Sequence, residues 1–317
     1  MGKYLLGRFI ATLPVLFGVS LFTFMLVRLV PGDPIQIMLG PDVLGNAREE
    51  ITRLYGLDRP WPVQYAEWLG NVVRGDLGMS LRTGMPITES IWQRLPATLE
   101  LTLLAIIIGL VIGMPLAIFA AQNRGRLVDG LVSAFVLIGI SMPGFWLATL
   151  LVLLFSLYLG WLPPIGYISP LENPAENLRR MILPAISLGV AFGATTMRFT
   201  RSSLLEVFNQ EYVRTARAKG LNERLVVYRH ALKNALIPVV TVTGIQIGRL
   251  LGGTVIIEQI FALPGIGRYV FDAISMRDYP VIQGTVMFFT IVFVVINLTV
   301  DLLYGVIDPR IKFAGSD

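Results

Sequence analysis

The chain has 317 residues, of which 54% are hydrophobic and only 15% are charged, and its mean hydropathy is +0.68. Because a soluble domain carries about a quarter charged residues, this composition predicts a membrane protein. The absence of cysteine excludes disulfides, thiolate metal sites and cysteine nucleophiles.

The net charge of +5 is distributed unevenly along the chain. Between Arg198 and Lys233 there are eight basic and three acidic residues, whereas residues 31–97 contain six arginines and eight acidic residues. Positive charge concentrated between apolar segments is typical of a cytoplasmic loop in a membrane protein. The basic balance therefore indicates topology, and nucleic acid is not an expected partner.

The first apolar run, residues 9–27, has no charged residue and is long enough to cross a bilayer. Lys3 and Arg8 precede it, which predicts a cytoplasmic N-terminus. A cleaved signal peptide is the alternative, but the run is too long for one and no small-x-small cleavage site follows it.

Residues 31–97 form a polar insert, and the topology above places it outside the cytoplasm. Apolar residues recur in it at helical spacing, so we expect three helical faces that pack on each other and on the rest of the protein. The three faces consist of Ile51, Leu54 and Tyr55; of Tyr65, Trp68, Leu69 and Val72; and of Ile87, Ile91 and Leu95.

Five further apolar runs predict membrane spans, at residues 101–121, 131–155, 181–197, 235–257 and 281–300. Arg124 and Arg126 after the second run, and Asp308, Arg310 and Lys312 after the last, mark cytoplasmic sides. The sequence thus predicts an all-α polytopic membrane protein with six transmembrane helices, an extracytoplasmic helical insert and both termini in the cytoplasm.

The third run contains Met142, Pro143, Phe145 and Trp146. We expect one span here, in which these side chains pack against neighbouring helices. A kink at this point, with the same side chains lining a path, is the alternative.

The longest basic, water-soluble run between two apolar spans is residues 211–238. We expect two short helices with a break at Gly220, because glycine adopts a positive φ readily at the end of a helix. The first helix has Glu211 at its start and Arg217 and Lys219 at its end, as the helix dipole favours.

Asn222 is suited to cap the second helix, which continues into the next span. Ala216 and Ala218 leave the first helix slim, so that it could lie in a groove on another protein. The alternative is a solvated basic loop that only follows the positive-inside rule.

This stretch resembles the cytoplasmic signature loop of ABC importer permeases, in which a short alanine-rich helix precedes a fixed glycine. Ala216 and Gly220 stand at the matching positions, and TARAKG followed by RHALKNALIPVV resembles the dipeptide/oligopeptide permease branch. The departures from the general motif are at Arg214, Thr215, His230 and Lys233. Further segments resemble the same branch in order and spacing: VPGDP, GDLG, LPATLEL, TRSSLLEV, LPGIGR, RDYPV and VDLLYGVIDPR.

The resemblance implies the type I fold of ABC importer permeases. It implies a first transmembrane helix within 1–30, the extracytoplasmic insert at 31–97, and a five-helix permease core at 98–317 with a cytoplasmic coupling loop at 198–235. The short helix of that loop would sit in a cleft of an ATPase subunit. The residues assigned to this coupling are Glu211, Tyr212, Arg214, Thr215, Ala216, Arg217, Ala218, Lys219 and Gly220.

The same resemblance implies a bacterial inner-membrane transport complex. Its other members would be a second homologous permease, two ABC ATPase subunits and an extracytoplasmic substrate-binding protein, all operating in membrane lipid. ATP and Mg would be bound by the ATPase subunits, and this chain would hold no cofactor. The implied substrates are di- or oligopeptides, with nickel, glutathione or another small solute as alternatives.

The fifth span contains polar residues, which are costly in a membrane and suggest function. Thr243 and Gln246 share one helical face, and Arg249 lies beside it, so these three are candidates to line a translocation path. Joining helices to one another is their alternative role. Gly244, Gly248 and Gly252 form a small-residue stripe on roughly the opposite face, which suits close helix packing.

Motifs of catalysis are absent from the sequence. There is no GxxxxGK[ST], HExxH or GxSxG, so neither ATP hydrolysis nor another catalytic role is expected of this chain, and no metal site. The single histidine, His230, is expected to be a basic residue of the loop.

A secondary transporter and a membrane enzyme are the competing classes. The first lacks a mid-span carboxylate and the second lacks a cluster of catalytic residues.

Overall fold

The computed structural model describes residues 2–29, 52 and 58–307, and the regular elements in those residues are helices. The helices are α1 (Gly2–Leu29), α2 (Trp61–Val73), α3 (Ile87–Gln122), α4 (Leu127–Ser141), α5 (Gly144–Leu151), α6 (Pro174–Phe208), α7 (Glu211–Ala218), α8 (Leu232–Ile260), α9 (Ile266–Met276) and α10 (Tyr279–Ile307). A π-helical segment, Val152–Tyr158, continues α5. One turn, Glu223–Leu225, and a second π-helical segment, Val226–Ala231, lead into α8.

Four stretches of the described residues are long and apolar enough to cross a membrane: α3, α6, Glu223–Ile260 and Tyr279–Val300. Helix α4 and the following helix through Tyr158 make a fifth if this bent pair is one span, and α1 contains a shorter apolar helix, Ile10–Leu26. All six predicted runs are therefore helical. Length and composition support four or five crossings, so the count of six stays a prediction.

The third predicted span is not one straight helix. Helix α4 ends at Ser141, and the axis turns by 99° before α5 begins at Gly144. Pro143 explains the break, because proline has no N–H to donate and disfavours helical backbone in the residue before it. Met142 accordingly has extended backbone, with φ −81° and ψ 120°. The kink, given as the alternative, is the correct interpretation.

Phe145 and Trp146 do not pack fully as expected. They are 50% and 49% exposed within this chain, and they border an open groove of about 680 Å³ together with Met142 and Pro143. Within this chain the two rings are therefore only half packed, and the expectation of packing is met only in part.

Contacts divide the described residues into two compact units, those within 1–97 and 264–295 and those within 98–263 and 296–317. In the first unit, α1 packs on α2 through aromatic rings. The ring of Phe24 lies 5.2 Å from that of Tyr65 and 6.0 Å from that of Trp68. This confirms the second predicted face of the insert. The first face, at Ile51, Leu54 and Tyr55, lies outside the described residues, as do the charged residues after 307.

The first unit also brings three distant sequence segments together. Ile87 and Ile91 at the start of α3 are buried against α9 and the start of α10, which confirms the third predicted face. Ser80, just after the GDLG segment, donates a 2.6 Å hydrogen bond to the buried carboxylate of Asp278 in the RDYPV segment. Gly284 packs closely beside them, since a Cβ there would lie 3.0 Å from the side chain of Ile87.

The second unit contains a tight helix crossing that the sequence reasoning missed. A Cβ on Gly113 of α3 would lie 2.5 Å from the carbonyl oxygen of Gly193 in α6, and one on Gly193 would lie 2.8 Å from that of Gly109. The backbones thus touch directly. The signal was present, because Gly109 and Gly113, and likewise Gly189 and Gly193, have the four-residue spacing of small-residue helix contacts.

The predicted glycine stripe of α8 is only partly correct. A Cβ on Gly244 would lie 2.3 Å from Val300 of α10, so this glycine does permit close packing. Gly252 faces open space, with nothing within 4 Å of its Cβ position. The expectation of a contact is therefore wrong at Gly252 within this chain.

Candidate functional site

The candidate site is α7 and the turn that follows it. Gly220 has φ +75°, as the sequence predicts. Its N–H donates to the carbonyl of Arg217 at 2.9 Å, and the N–H of Leu221 donates to that of Ala216 at 3.4 Å. These two bonds form a Schellman motif, which satisfies the last carbonyls of the helix. The end of α7 is therefore set by local geometry that only glycine adopts without strain.

The second predicted helix begins as expected and then departs from a regular α-helix. The side chain of Asn222 accepts a 2.9 Å hydrogen bond from the N–H of Arg224, which confirms it as a helix cap. Only one α-turn follows before the π-helical segment Val226–Ala231, and the chain then continues into α8. The segment after Gly220 is thus continuous with a predicted membrane span.

The inner face of α7 packs on its own chain. Val213 is fully buried and Ala216 is 7% exposed, and they form a cluster with Val226. The residues packed around this cluster are Val207, Phe208 and Leu221. The expectation that the small side chain of Ala216 serves a groove on another protein is therefore wrong. Its size lets α7 lie close to the end of α6 and to the segment before α8.

Polar contacts hold both ends of α7. The guanidinium of Arg217 makes two hydrogen bonds to the carboxylate of Glu223, of 3.1 and 2.7 Å, which raise the pKa of Arg217 above its ordinary value. At the other end, the amide of Asn234 in α8 donates to the hydroxyl of Tyr212 at 2.7 Å. Both ends of the helix are thus fastened to the segment that follows it in the chain, between Glu223 and Asn234.

The outer face of α7 is open. The side chains of Glu211 and Arg214 are 84% and 63% exposed, and among the described residues they form an ion pair only with each other, at 2.9 Å. All other residues of the predicted coupling set except Ala216 are also exposed: Tyr212, Thr215, Arg217, Ala218, Lys219 and Gly220. The helix therefore presents a mixed-charge, water-accessible face from a rigid base, and a partner protein could contact that face without disturbing the inner one.

The predicted path residues lie apart from α7, about 16–26 Å further along the axis of α8 from its first residue. Thr243 and Gln246 are half-buried and Arg249 is exposed. The amide nitrogen of Gln246 is buried and has no hydrogen-bond partner among the described residues. The structure therefore does not bring the two predicted sets of residues together, and it leaves Gln246 with an unused donor.

Sequence reasoning missed an ion pair at the base of α4. Asp129, 7% exposed, accepts hydrogen bonds from the Nε and Nη2 atoms of Arg201 in α6, each of 2.8 Å. The N–H of Gly125 donates to the same carboxylate at 3.1 Å. The sequence did contain a signal: Arg124 and Arg126 lie in the short loop before α4, and Asp129 is the only acidic residue close to them in the sequence.

No group of three histidine, aspartate or glutamate side chains in residues 2–29, 52 and 58–307 could hold a metal ion. His230 is half-buried in the second π-helical segment, beside the exposed Arg229. What the site offers is the exposed face of helix α7, which a partner protein could contact.

Comparisons with known proteins agree with this description. Residues 113–313 match the family described as binding-protein-dependent transport system inner membrane component, and residues 1–102 match its N-terminal family. The chain is 44% identical to the dipeptide transport system permease protein of Alkalihalophilus pseudofirmus, over 99% of this chain and 100% of the relative. It is 41% identical to the glutathione transport system permease protein of Escherichia coli, with the same coverage.

Among solved structures, the chain is similar to one chain of the inward-facing methionine ABC transporter, with a TM-score of 0.59 and 19% sequence identity. The match spans 69% of this chain and 96% of the chain in that structure. At that identity the likeness shows the fold, which is that of the type I ABC importer permeases. The chain therefore belongs to the family of binding-protein-dependent transport system inner membrane components, as a multi-pass permease of the peptide ABC importer branch.

Proposed function

We propose that this chain moves di- or oligopeptides across the bacterial inner membrane, and that α7 is its contact with an ATPase subunit. The observation that carries the second part is the two-sided character of α7. Its inner face is buried against its own chain, and its outer face is exposed and charged. The peptide substrate is supported by the 44% identity to a dipeptide permease along the whole chain.

The physical basis for coupling is the way in which α7 is fastened. Its buried residues touch Phe208 at the end of α6 and Val226 before α8. The next cluster joins Leu204 of α6 to Val227 and Ala235, and it includes Ile118 of α3. Because packed cores are stiff, a displacement of α7 moves three predicted spans together. A flexible loop could not transmit motion in this way.

The proposed complex contains a second permease, two ATPase subunits that bind ATP and Mg, and an extracytoplasmic protein that delivers the substrate. In the proposed orientation both termini and α7 are cytoplasmic, and residues 31–97 face outward, where they either dock the delivery protein or cap the helices. The basic bias of residues 198–233 supports this orientation. Half of the path would come from this chain.

Thr243, Gln246 and Arg249 are proposed to line that path. A peptide leaving water needs hydrogen-bond partners for its backbone, and an unpaired buried group costs about 1–3 kcal/mol. The unpartnered amide of Gln246 is a suitable donor. The exposed guanidinium of Arg249 is suited to a substrate carboxylate.

Glutathione is a second candidate substrate. It is favoured by the 41% identity, over the whole chain, to a glutathione permease. Glutathione is itself a small peptide with two carboxylates, so the same hydrogen-bonding groups and the same arginine would serve it.

One experiment tests both parts of the proposal. The chain is purified with its accompanying ATPase and binding-protein partners and reconstituted in vesicles. ATP hydrolysis and uptake are then measured with a dipeptide, a longer peptide, glutathione and Ni²⁺. We expect a peptide to stimulate both. Stimulation by glutathione alone would select the second candidate, and uptake that needs no ATP would contradict the importer mechanism.

A further inference from the structure

The ion pair between Asp129 and Arg201 occupies a position that the proposed function does not use. Asp129 lies in the first turn of α4, the first half of the bent pair. Arg201 lies in α6 about two turns, or roughly 10 Å, before that helix ends at Phe208. Phe208 packs on α7. The pair therefore joins the base of the bent segment to the helix that carries α7.

The geometry of the pair is that of a rigid joint. Two parallel hydrogen bonds of 2.8 Å fix the guanidinium and carboxylate planes against each other, and the N–H of Gly125 occupies a further acceptor position. The carboxylate side chain is only 9% exposed, so solvent screens this pair weakly. One carboxylate thereby fixes α4, α6 and the loop between α3 and α4 to one another.

Beyond this joint, α4 and α6 meet through an apolar cluster, whose contacts have no preferred direction. Val136 packs on Ala194 and Met197, and a small apolar cavity of about 100 Å³ lies beside them, bordered by Gly139 and Gly193. A cavity supplies no contacts to oppose a shift. The ion pair is therefore the strongly directional contact between the two helices among the described residues, and the helix axis bends by 99° further along.

We propose that Asp129 and Arg201 are positioning residues which transmit the movement of α7 to the bent segment, residues 127–158, during transport. This inference rests on the proposed coupling role of α7. When α6 moves with α7, the joint moves the start of α4, and the bend and the open groove beside it move in turn. Without the joint, the ATPase-driven displacement ends in α6 and only part of the path responds.

The test is the amount of peptide transported per ATP hydrolysed, measured in vesicles that contain the whole complex. Asp129→Asn replaces one acceptor oxygen with a donor that opposes the guanidinium, and Arg201→Lys keeps the charge but loses the fork. We expect the ratio to fall about tenfold in the first variant and by a smaller factor in the second, with hydrolysis maintained. The double variant with Asp129→Arg and Arg201→Asp is expected to return to within about threefold of the wild-type ratio.

The matched control is Glu176→Gln, which removes a 3.0 Å ion pair to Arg180 within the first turns of α6 and should leave the ratio unchanged. An unchanged ratio in both single variants would overturn the proposal. The proposal would also be overturned if the charge-swapped double variant had a ratio as low as that of the single variants. A loss of assembled complex equal to the loss of transport would overturn it as well. Failure of the proposed function is distinguishable, because it would appear as normal ATPase binding and coupling in Gly220→Val.

Discussion

Single residues decide how α7 is shaped and how it is held. Gly220 is required for its backbone conformation, because any other residue at this position would have to adopt φ +75°. The space around it is not the reason, since a Cβ there would have no atom within 4 Å. Ala216 is required for its small size, because it is buried against Val226. Gln246 stands out for the opposite reason, as a buried group with an unused donor.

We expect Gly220→Val to abolish coupling while the membrane spans still insert. A β-branched residue at positive φ costs about 1 kcal/mol or more, so the turn opens and α7 tilts. Co-purification of the ATPase and substrate-stimulated hydrolysis measure the loss. Gly220→Asn, which tolerates this conformation, should retain most activity. Gly160→Val, at φ +64° in a loop outside the site, is the control for strain alone.

Two alanines of α7 give a matched pair of variants. Ala216→Asp places a carboxylate in the inner cluster at a cost of about 3 kcal/mol, and it should detach α7 and abolish transport. Ala218→Asp adds the same charge on the exposed face and should reduce only the affinity for the ATPase. Thermal unfolding of the isolated chain separates the two effects. Equal destabilisation by both would contradict the observed orientation of the helix.

Replacement of Gln246 tests the proposed path. Gln246→Leu removes the unpaired donor and should slow peptide uptake by about tenfold, since one lost hydrogen bond to a buried group is of that size. The assembled complex should stay intact. Gln259→Leu, on the same helix, is the control. If Gln246→Leu instead causes dissociation in detergent, the residue joins helices to one another.

At the scale of elements, features that depend on neighbouring residues could be predicted from the sequence, whereas contacts between distant residues could not. The six apolar runs, the turn at Gly220 and the cap at Asn222 depend on a few neighbouring residues. They are helical, turned or capped as predicted, except that the third run is broken at Pro143. The direction of Ala216 depends on which side of α7 the chain packs. The pairing of Asp129 with Arg201 joins residues 72 positions apart. Neither can be read from helical periodicity alone.

The glycine crossing of α3 and α6 yields a prediction about stability. Gly193→Ala would place a Cβ 2.8 Å from the carbonyl oxygen of Gly109, and overpacking of this kind costs about 1–3 kcal/mol. We expect a lower midpoint of thermal unfolding in detergent. Gly252→Ala, where the Cβ position is open, should leave the midpoint unchanged. A similar shift in both variants would show that the crossing is not tightly packed in solution.

At the scale of the whole molecule, the orientation in the membrane determines which surfaces meet which partners. The absence of cysteine permits single reporter cysteines without a background. Asn222→Cys, in the exposed turn after α7, should resist a membrane-impermeant thiol reagent added to intact cells, whereas Asp58→Cys in the insert should react. Reaction at position 222 from outside would reverse the proposed topology.

The break at Pro143 has a consequence for how the protein is made. A continuous helix satisfies its own backbone and can rest alone in lipid, but a 99° break exposes amide and carbonyl groups at a cost of several kcal/mol each in hydrocarbon. Helices α4 and α5 both contact α6, which leaves the ribosome after them. We therefore expect the bent segment to integrate fully only once α6 has been made, so that the order of integration differs from the order of synthesis.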